Sequence, residues 1–204
     1  MSDTLAMLGQ LALMRGDLDA AHTLLDKSKS MITVFESLSW RLNWQHQLGL
    51  VTLYSGDVSG ARTLLTEGLG LVADLKPNPM AARICTYLAD TSLWESRIEE
   101  AGQWLRQSLE WYADPHRTFI HDVERIFVAA RLAMAKGEYL RAAELFGLAE
   151  KAHGCVHHVR LGPHQARADA ALASARQALD HQKFATAFAA GKELSLDEMF
   201  TFYV

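Results

Sequence analysis

Apolar residues recur along this chain at the spacing of amphipathic helices. In "RGDLDAAHTLL" (15–25) and "SGDVSGARTLL" (55–65), a Gly-Asp pair precedes alanine and leucine residues three and four positions apart. Such spacing places apolar side chains on one face of a helix. No segment shows the period-two alternation that marks a half-buried strand. The pattern predicts an all-α protein, with helices near 3–15, 18–35, 38–55, 58–75, 79–95, 98–113, 116–136, 139–153, 163–181, 182–191 and 196–203.

The two phrases belong to a repeat with a period of about 40 residues. The matching residues are Leu8, Gly9, Gly16, Ala21 and Leu25 in the first copy, Leu48, Gly49, Gly56, Ala61 and Leu65 in the second, Leu88, Ala89, Ser96, Ala101 and Leu105 in the third, and Ala129, Ala130, Gly137, Ala142 and Phe146 in the fourth. Self-similarity at such a period is the signature of a solenoid of stacked helix pairs. We expect a single repeat domain over 1–204, with repeats at about 3–36, 38–76, 79–113 and 116–153 and a C-terminal cap at 163–204.

Each copy contains the signals for two helices joined by a tight bend. The residue at the Gly16 position is expected to adopt a left-handed backbone that ends the first helix. Asp17 and Asp57 then cap the second helix. Asn78-Pro79 and Asp114-Pro115 indicate helix starts, because proline fits the first helical position.

The pattern L-G-x₂-[small]…G-[DE]…A-x₃-[LF] resembles the tetratricopeptide repeat, although the signature tryptophan of that repeat is missing and the period exceeds its usual length. This resemblance implies a right-handed superhelix of about four helix pairs with C-terminal capping helices. Longer repeats of this kind are similar to those of bacterial signal-transduction ATPases and maltose-activator-like, LuxR-type transcriptional regulators.

The C-terminal third resembles the closing segment of those regulators more specifically. The residues that match its "FaxAfaxGxxLSLdEa" tail are Phe184, Ala187, Phe188, Gly191, Leu194, Ser195, Leu196 and Glu198. The resemblance implies the sensor or interaction part of a larger regulator, and we expect Met1 to mark a boundary within one. No P-loop or helix-turn-helix motif is present, so neither ATP hydrolysis nor DNA binding is expected of these residues.

Composition narrows the function classes. The formal net charge of −4 argues against a nucleic-acid surface, which requires a basic face. Two cysteines in no spaced framework favour a reduced, cytoplasmic protein. There is no apolar run long enough to span a bilayer and no signal-peptide pattern, so no membrane association is expected.

The first helix of each pair is expected to line the inner, concave surface of the superhelix. Alignment of the copies gives a candidate groove for a protein or peptide partner or a small effector, with the residues Asn43, His46, Tyr54, Arg83, Asp90, Trp94, Glu124 and Arg131. The alternative is an ordinary solvated groove. Most tryptophans are interpreted as packing residues, with Trp94 the main exception. The arginines Arg15, Arg62, Arg141 and Arg167 are interpreted as surface charge.

Histidine and cysteine are concentrated in "HGCVHHVRLGPH", which makes His153, Cys155, His157 and His158, with His164, weak candidates for metal ligands. The spacing matches no closed zinc motif, so a solvated connector is preferred, and no metal or other cofactor is expected. No catalytic set is evident. The sequence predicts a non-catalytic module for protein interaction or effector sensing in signal transduction. The alternative is a freestanding scaffold that assembles other proteins or forms a homodimer.

Overall fold

The computed structural model describes residues 2–31, 37–72, 78–111, 123–156, 162–195 and 198. Within these ranges the chain forms helices and no strands. The helices are α1 (Ser2–Arg15), α2 (Leu18–Ser30), α3 (Leu38–Tyr54), α4 (Val58–Gly70), α5 (Pro79–Trp94), α6 (Ile98–Trp111), α7 (Val123–Ala135), α8 (Tyr139–Val156), α9 (Gly162–Ala178) and α10 (His181–Glu193). The predicted all-α class is confirmed.

The bend inside each helix pair has the same geometry in all four copies. The backbone φ is +79° at Gly16, +94° at Gly56, +59° at Ser96 and +77° at Gly137. In each copy the amide of the next residue donates a hydrogen bond to a carbonyl five positions back, as Asp17 does to Ala12 at 3.0 Å. Ser96 adopts the left-handed region without the freedom of glycine, which is unusual for an L-residue. The predicted equivalence of the four bends is confirmed.

Polar side chains start several helices as the sequence predicts. Asp17 and Asp57 each accept a hydrogen bond from an amide in the first turn of the following helix, at 3.0 and 2.8 Å. Asn78 caps α5, and Pro79 occupies the first turn. These bonds satisfy amides that a helix start otherwise leaves without partners. Asp114 and Pro115 lie outside the described residues.

Helix ends differ from the prediction more than helix starts. Gly70 ends α4, expected to reach 75, and residues 71–72 form a turn. The third helix pair is followed by a longer stretch, 112–122, outside the described residues, and the expected start of α7 at 116 and most of the helix expected at 196–203 also lie outside them. The boundary between α9 and α10 shifts because Asp180 caps α10 through the amide of Lys183, at 2.8 Å.

Close helix packing explains the small residues of the repeat. Ala21, Ala61, Ala101 and Ala142 are all fully buried. A Cβ added at Gly49 would lie only 2.8 Å from the side chain of Leu65 on the paired helix. Two apolar clusters result, one built from α1 to α6 and the other from α5 to α10. Each repeat therefore buries its apolar face mainly against its neighbours, as in a solenoid.

The two C-terminal helices pack in different places. The helix α10 lies along α8, whereas α9 contacts α7 and α8 and reaches α1. A buried or half-buried stripe of α9, formed by Ala168, Ala171, Leu172 and Ala175, packs into the second cluster. Because α1 and α7 are both first helices of their pairs, α9 lies across the side of the molecule that those helices line. None of the helices in the described ranges has the length and apolarity needed to cross a membrane.

Candidate functional site

The candidate groove residues converge on one buried carboxylate. Asp90 is fully buried on α5, yet it accepts hydrogen bonds from two arginines. One is Arg131 on α7, and the other is Arg167 on α9, at 2.6 Å. A buried carboxylate requires such partners, because an unpaired buried charge is strongly destabilising. We call Tyr54, Asp90, Trp94, Arg131 and Arg167 the inner cluster. Its two arginines and one aspartate give it an excess positive charge.

Trp94 is the exposed part of the inner cluster. Its side chain is 45% exposed, and the guanidinium of Arg167 lies 4.1 Å from the ring centroid. A cation over an aromatic face is held by the electrostatic field of the ring. Burial lowers the pKa of Arg167 below its ordinary value, and the charge of Asp90 counteracts this shift. Arg167 therefore ties α9 to α5 through both an ion pair and a ring contact.

Tyr54 extends the inner cluster onto α3. Burial, followed by the nearby Tyr87 and Asp90, raises the pKa of Tyr54 well above its ordinary value. The phenol is therefore neutral across the physiological range and able to donate a hydrogen bond. Its hydroxyl oxygen is buried and has no hydrogen-bond partner within the described part of the chain.

A second group of polar side chains surrounds His46. The ring of His46 is buried, and its centroid lies 5.3 Å from that of Tyr87. Burial, and then the charge of Arg83, lowers the pKa of His46 well below 6.5. Burial and the charge of Glu124 raise the pKa of Tyr87, while Arg83 opposes that shift. The histidine is therefore neutral, and both its ring nitrogens lack hydrogen-bond partners among the residues described.

The structure thus brings most of the predicted groove residues together, but not on an open surface. His46 and Asp90 are buried, Arg131 is largely covered, and Asn43, Arg83 and Glu124 are half-buried. Only Trp94 among the eight is strongly exposed. Fewer of the eight residues are open to solvent than the sequence predicted, because α9 covers part of the groove.

The interpretation of Arg62 and Arg167 as surface charge is wrong. Arg167 is a component of the inner cluster. Arg62 on α4 donates hydrogen bonds to Glu95 and to Glu100, the latter at 2.6 Å. Burial opposes ionisation of Glu100, but the bonds from Arg62 and from Trp104 outweigh it and hold the pKa of Glu100 below its ordinary value. This network braces the bend at Ser96, whereas Arg15 is exposed as expected.

Residues that sequence reasoning missed here are Tyr87 and Arg167. Tyr87 lies on the predicted first helix of the third copy but outside the register assigned to the groove. Arg167 is 77 positions from Asp90, and no repeat relates the two. The repeat pattern therefore could not predict which surface α9 packs against.

The metal candidates are not brought together in the described part of the structure. His153 lies half-buried on α8, while the Cys155 side chain, His157, His158 and the side chain of His164 lie outside what is described. Among the described residues, no three histidine, cysteine, aspartate or glutamate side chains meet in a way that could hold a metal ion. The buried tryptophans Trp44 and Trp111 have the predicted packing role.

Comparison with solved structures supports the repeat architecture. The chain is similar to a putative kinesin light chain of Podosopora anserina with nearly identical TPR-like repeats, with a TM-score of 0.58, 21% identity, and coverage of 93% of this chain and 94% of that chain. It is also similar to a substituted variant of that protein, with a TM-score of 0.61, 20% identity, and coverage of 97% and 96%. The chain has a tetratricopeptide-like repeat fold. No protein-family model matches its sequence, and no curated protein matches it either.

At this level of identity the likeness establishes the fold alone. The tetratricopeptide-like superhelix accounts for the four equivalent bends and for the stacking of successive helix pairs. It also explains why the first helices of the pairs share one side, where the inner cluster lies. Such a fold presents surfaces for protein partners, and function has to be argued from the side chains on those surfaces.

Proposed function

We propose that this chain is the protein-interaction or effector-sensing module of a bacterial signalling or transcriptional regulator, and that it is not an enzyme. The observation that carries the proposal is a helical-repeat surface on which side chains from α3, α5, α7 and α9 converge around Asp90, with exposed Trp94 against Arg167. The tail motif at 184–198 supports the regulator context, because it resembles the closing segment of such proteins. We place the chain in the cytoplasm, as one domain over 1–204.

The contacts of α9 support a protein or peptide partner. This helix already binds the side lined by the first helices, using alanines for close approach and an arginine for the buried carboxylate. The same surface continues through half-buried Arg83 and Glu124 to exposed Trp94. It offers charges of both signs and an aromatic face, which suit a polar peptide segment or a small polar effector.

The test is a comparison of variants against one purified partner. Proteins captured on the immobilised full chain would be identified by mass spectrometry, and the tightest would be purified for calorimetric titration. Removal of a central aromatic anchor costs about 2 kcal/mol or more, so Trp94→Ala should weaken binding at least about thirtyfold. Arg83→Ala should weaken it less, and Arg15→Ala, an exposed control on α1, should leave it unchanged.

Each variant would also be melted by circular dichroism, to separate lost contacts from lost folding. Equal affinity of wild type, Trp94→Ala and Arg83→Ala would exclude this surface as the site. Loss of binding accompanied by a large fall in melting temperature would place these residues in the core instead.

A second candidate function is self-assembly, which the outer face of α1 favours. Met7, Leu8 and Leu11 are 65%, 46% and 48% exposed. The residues 40 positions later are Gln47, Leu48 and Val51, and all three are buried. In this scaffold hypothesis the occupant is the α1 helix of a second copy, which would make a symmetric contact.

A further inference from the structure

A cleft between α9 and α10 has the properties of a site for a small organic anion. Its volume is about 530 Å³, within the range of small-molecule sites. It opens because α10 packs along α8 and touches α9 much less. The side chains that define this α9–α10 cleft are Arg176, His181, Phe184, Phe188 and Lys192, with two alanines of α10.

The apolar part of the cleft is a pair of phenylalanines one helical turn apart. The rings of Phe184 and Phe188 stack, with centroids 5.4 Å apart and an interplanar angle of 27°. Phe184 is buried and Phe188 is half-buried. Stacked rings at a partly open wall offer a flat apolar surface to an aromatic or aliphatic group.

The polar part of the cleft is entirely basic. The guanidinium of Arg176 lies 5.4 Å from the Phe184 ring centroid, and the ammonium of Lys192 lies 5.2 Å from that of Phe188. No acidic side chain is among the described residues that line the cleft. Lys192 also pairs with Glu150 at 3.1 Å, but Arg176 makes no ion pair with any residue that the structure describes. Both cations are therefore presented beside the apolar wall.

A neighbouring cavity has a different charge pattern. The cavity between α8 and α10 has a similar volume of about 530 Å³. Its lining includes Glu144 and Asp180 as well as Lys183, so charges of both signs are present. The basic lining also contrasts with the chain as a whole, whose formal net charge is −4.

We propose that the α9–α10 cleft binds a small molecule with an aromatic or aliphatic body and a carboxylate or phosphate group. The body stacks on Phe184 and Phe188, and the anionic group is bound by Arg176, with Lys192 and His181 at the rim. Arginine suits either group because its planar fork donates two parallel hydrogen bonds. The site uses none of the residues around Trp94, so it stands or falls independently of the proposed function.

In the experiment, the full ¹⁵N-labelled chain is titrated with three naphthalene probes. Binding is measured from the NMR chemical-shift changes of the backbone amides of α9 and α10. The probes are 2-naphthoate, 2-naphthyl phosphate and the uncharged 2-naphthylmethanol. The better of the two anions should bind at least about fivefold more tightly than the alcohol, and their ranking identifies the preferred anionic group.

Two variants test whether Arg176 is the cation that binds the anionic group. Arg176→Gln should weaken binding of the better anion at least about fivefold and leave the alcohol unchanged. Lys183→Gln removes a comparable exposed cation from α10 outside the cleft and should change affinity less than about twofold. The proposal is overturned by equal affinity for anion and alcohol, by equal losses in the two variants, or by the absence of saturable binding for every probe.

Discussion

The buried His46 is a polar residue whose protonation opposes folding. Its ring packs against Tyr87, and its pKa is lowered well below 6.5 by burial and by Arg83. The unfolded chain therefore binds more protons than the folded chain when the pH falls below 6.5. Stability that is fully present above that pH is lost as the pH decreases.

We expect the free energy of unfolding of the wild type to fall between about pH 6.5 and 5.5, by up to about 1.4 kcal/mol per pH unit from this residue. The variant His46→Gln should lose most of that slope, because glutamine does not titrate. Urea unfolding at several pH values measures the slope directly. Asn43→Gln, a change of a half-buried residue on the same helix that involves no titratable group, is the control and should keep the wild-type slope. An unchanged slope in His46→Gln would contradict the prediction.

Gly191 permits the closest helix contact at the C-terminal end. A Cβ at this position would overlap the carbonyl oxygen of Glu144 on α8, and a Cβ at Gly147 would overlap that of Phe188 on α10. Backbone atoms cannot move aside as a flexible side chain can. The glycine of the tail motif is thus required by the distance between α8 and α10.

Gly191→Ala should lower the free energy of unfolding by about 3 kcal/mol, near the upper end of overpacking effects. The matched control is Gly154→Ala, also within a helix, where no atom of the described residues lies within 4 Å of an added Cβ. That substitution should be neutral or should stabilise the protein by up to about 1 kcal/mol, because alanine favours the helix. Chemical denaturation of the two variants tests both. Similar free energies of unfolding for the two variants would contradict the close approach of α8 and α10.

Residue patterns predicted backbone conformation better than they predicted electrostatic partners. The roles of Gly16 and Asp17 can be predicted from the sequence, because a left-handed bend and a helix cap depend only on residues close in the chain. His46 and Asp90 carry no comparable signal. Their burial depends on helices distant in sequence, so the pattern placed both on an open groove when they lie inside the protein.

The helix α9 lies across the first helices of the pairs, with contacts to α7 and α1 as well as to α8. Its alanine stripe allows it to lie against the first helices of the pairs, and Arg167 bonds to Asp90 at 2.6 Å. The sequence predicted a helix near 163–181 and a capping role for the C-terminal region. It did not predict that α9 covers part of the groove, because alanine-rich helices have similar patterns whichever surface they pack against.

We expect Arg167→Met to destabilise the protein by about 2 kcal/mol, because a hydrogen-bonded charge pair to the buried Asp90 is lost while Arg131 remains. The loss should be greatest in α9, whose amides would exchange with solvent faster than those of α3. Hydrogen exchange followed by mass spectrometry measures this difference. Arg176→Met is the control on the same helix, since Arg176 is exposed and makes no described ion pair. Equal protection of the α9 amides from exchange in both variants would contradict the role of Arg167 in holding α9 against α5.

At the scale of the whole molecule, stability comes from a chain of neighbouring contacts. The two apolar clusters share contributions from α5 and α6, so the central repeat links both halves. The period of the sequence predicted this organisation because every copy must bury the same face. The copies differ in one respect, because Met7, Leu8 and Leu11 of the first copy are exposed whereas the residues 40 positions later are buried.

If a second copy covers that face, the chain is a dimer in which two α1 helices pack together. Sedimentation velocity over a range of concentrations should then show association of the wild type, and the double variant Leu8→Glu, Leu11→Glu should sediment as a monomer. Both leucines are about half exposed, so neither substitution disrupts the core. Leu140→Glu, at a leucine on α8 that is 50% exposed, is the matched control and should still associate. A wild type that stays monomeric at all concentrations would exclude self-assembly through α1 and leave the groove near Trp94 as the interaction surface to pursue.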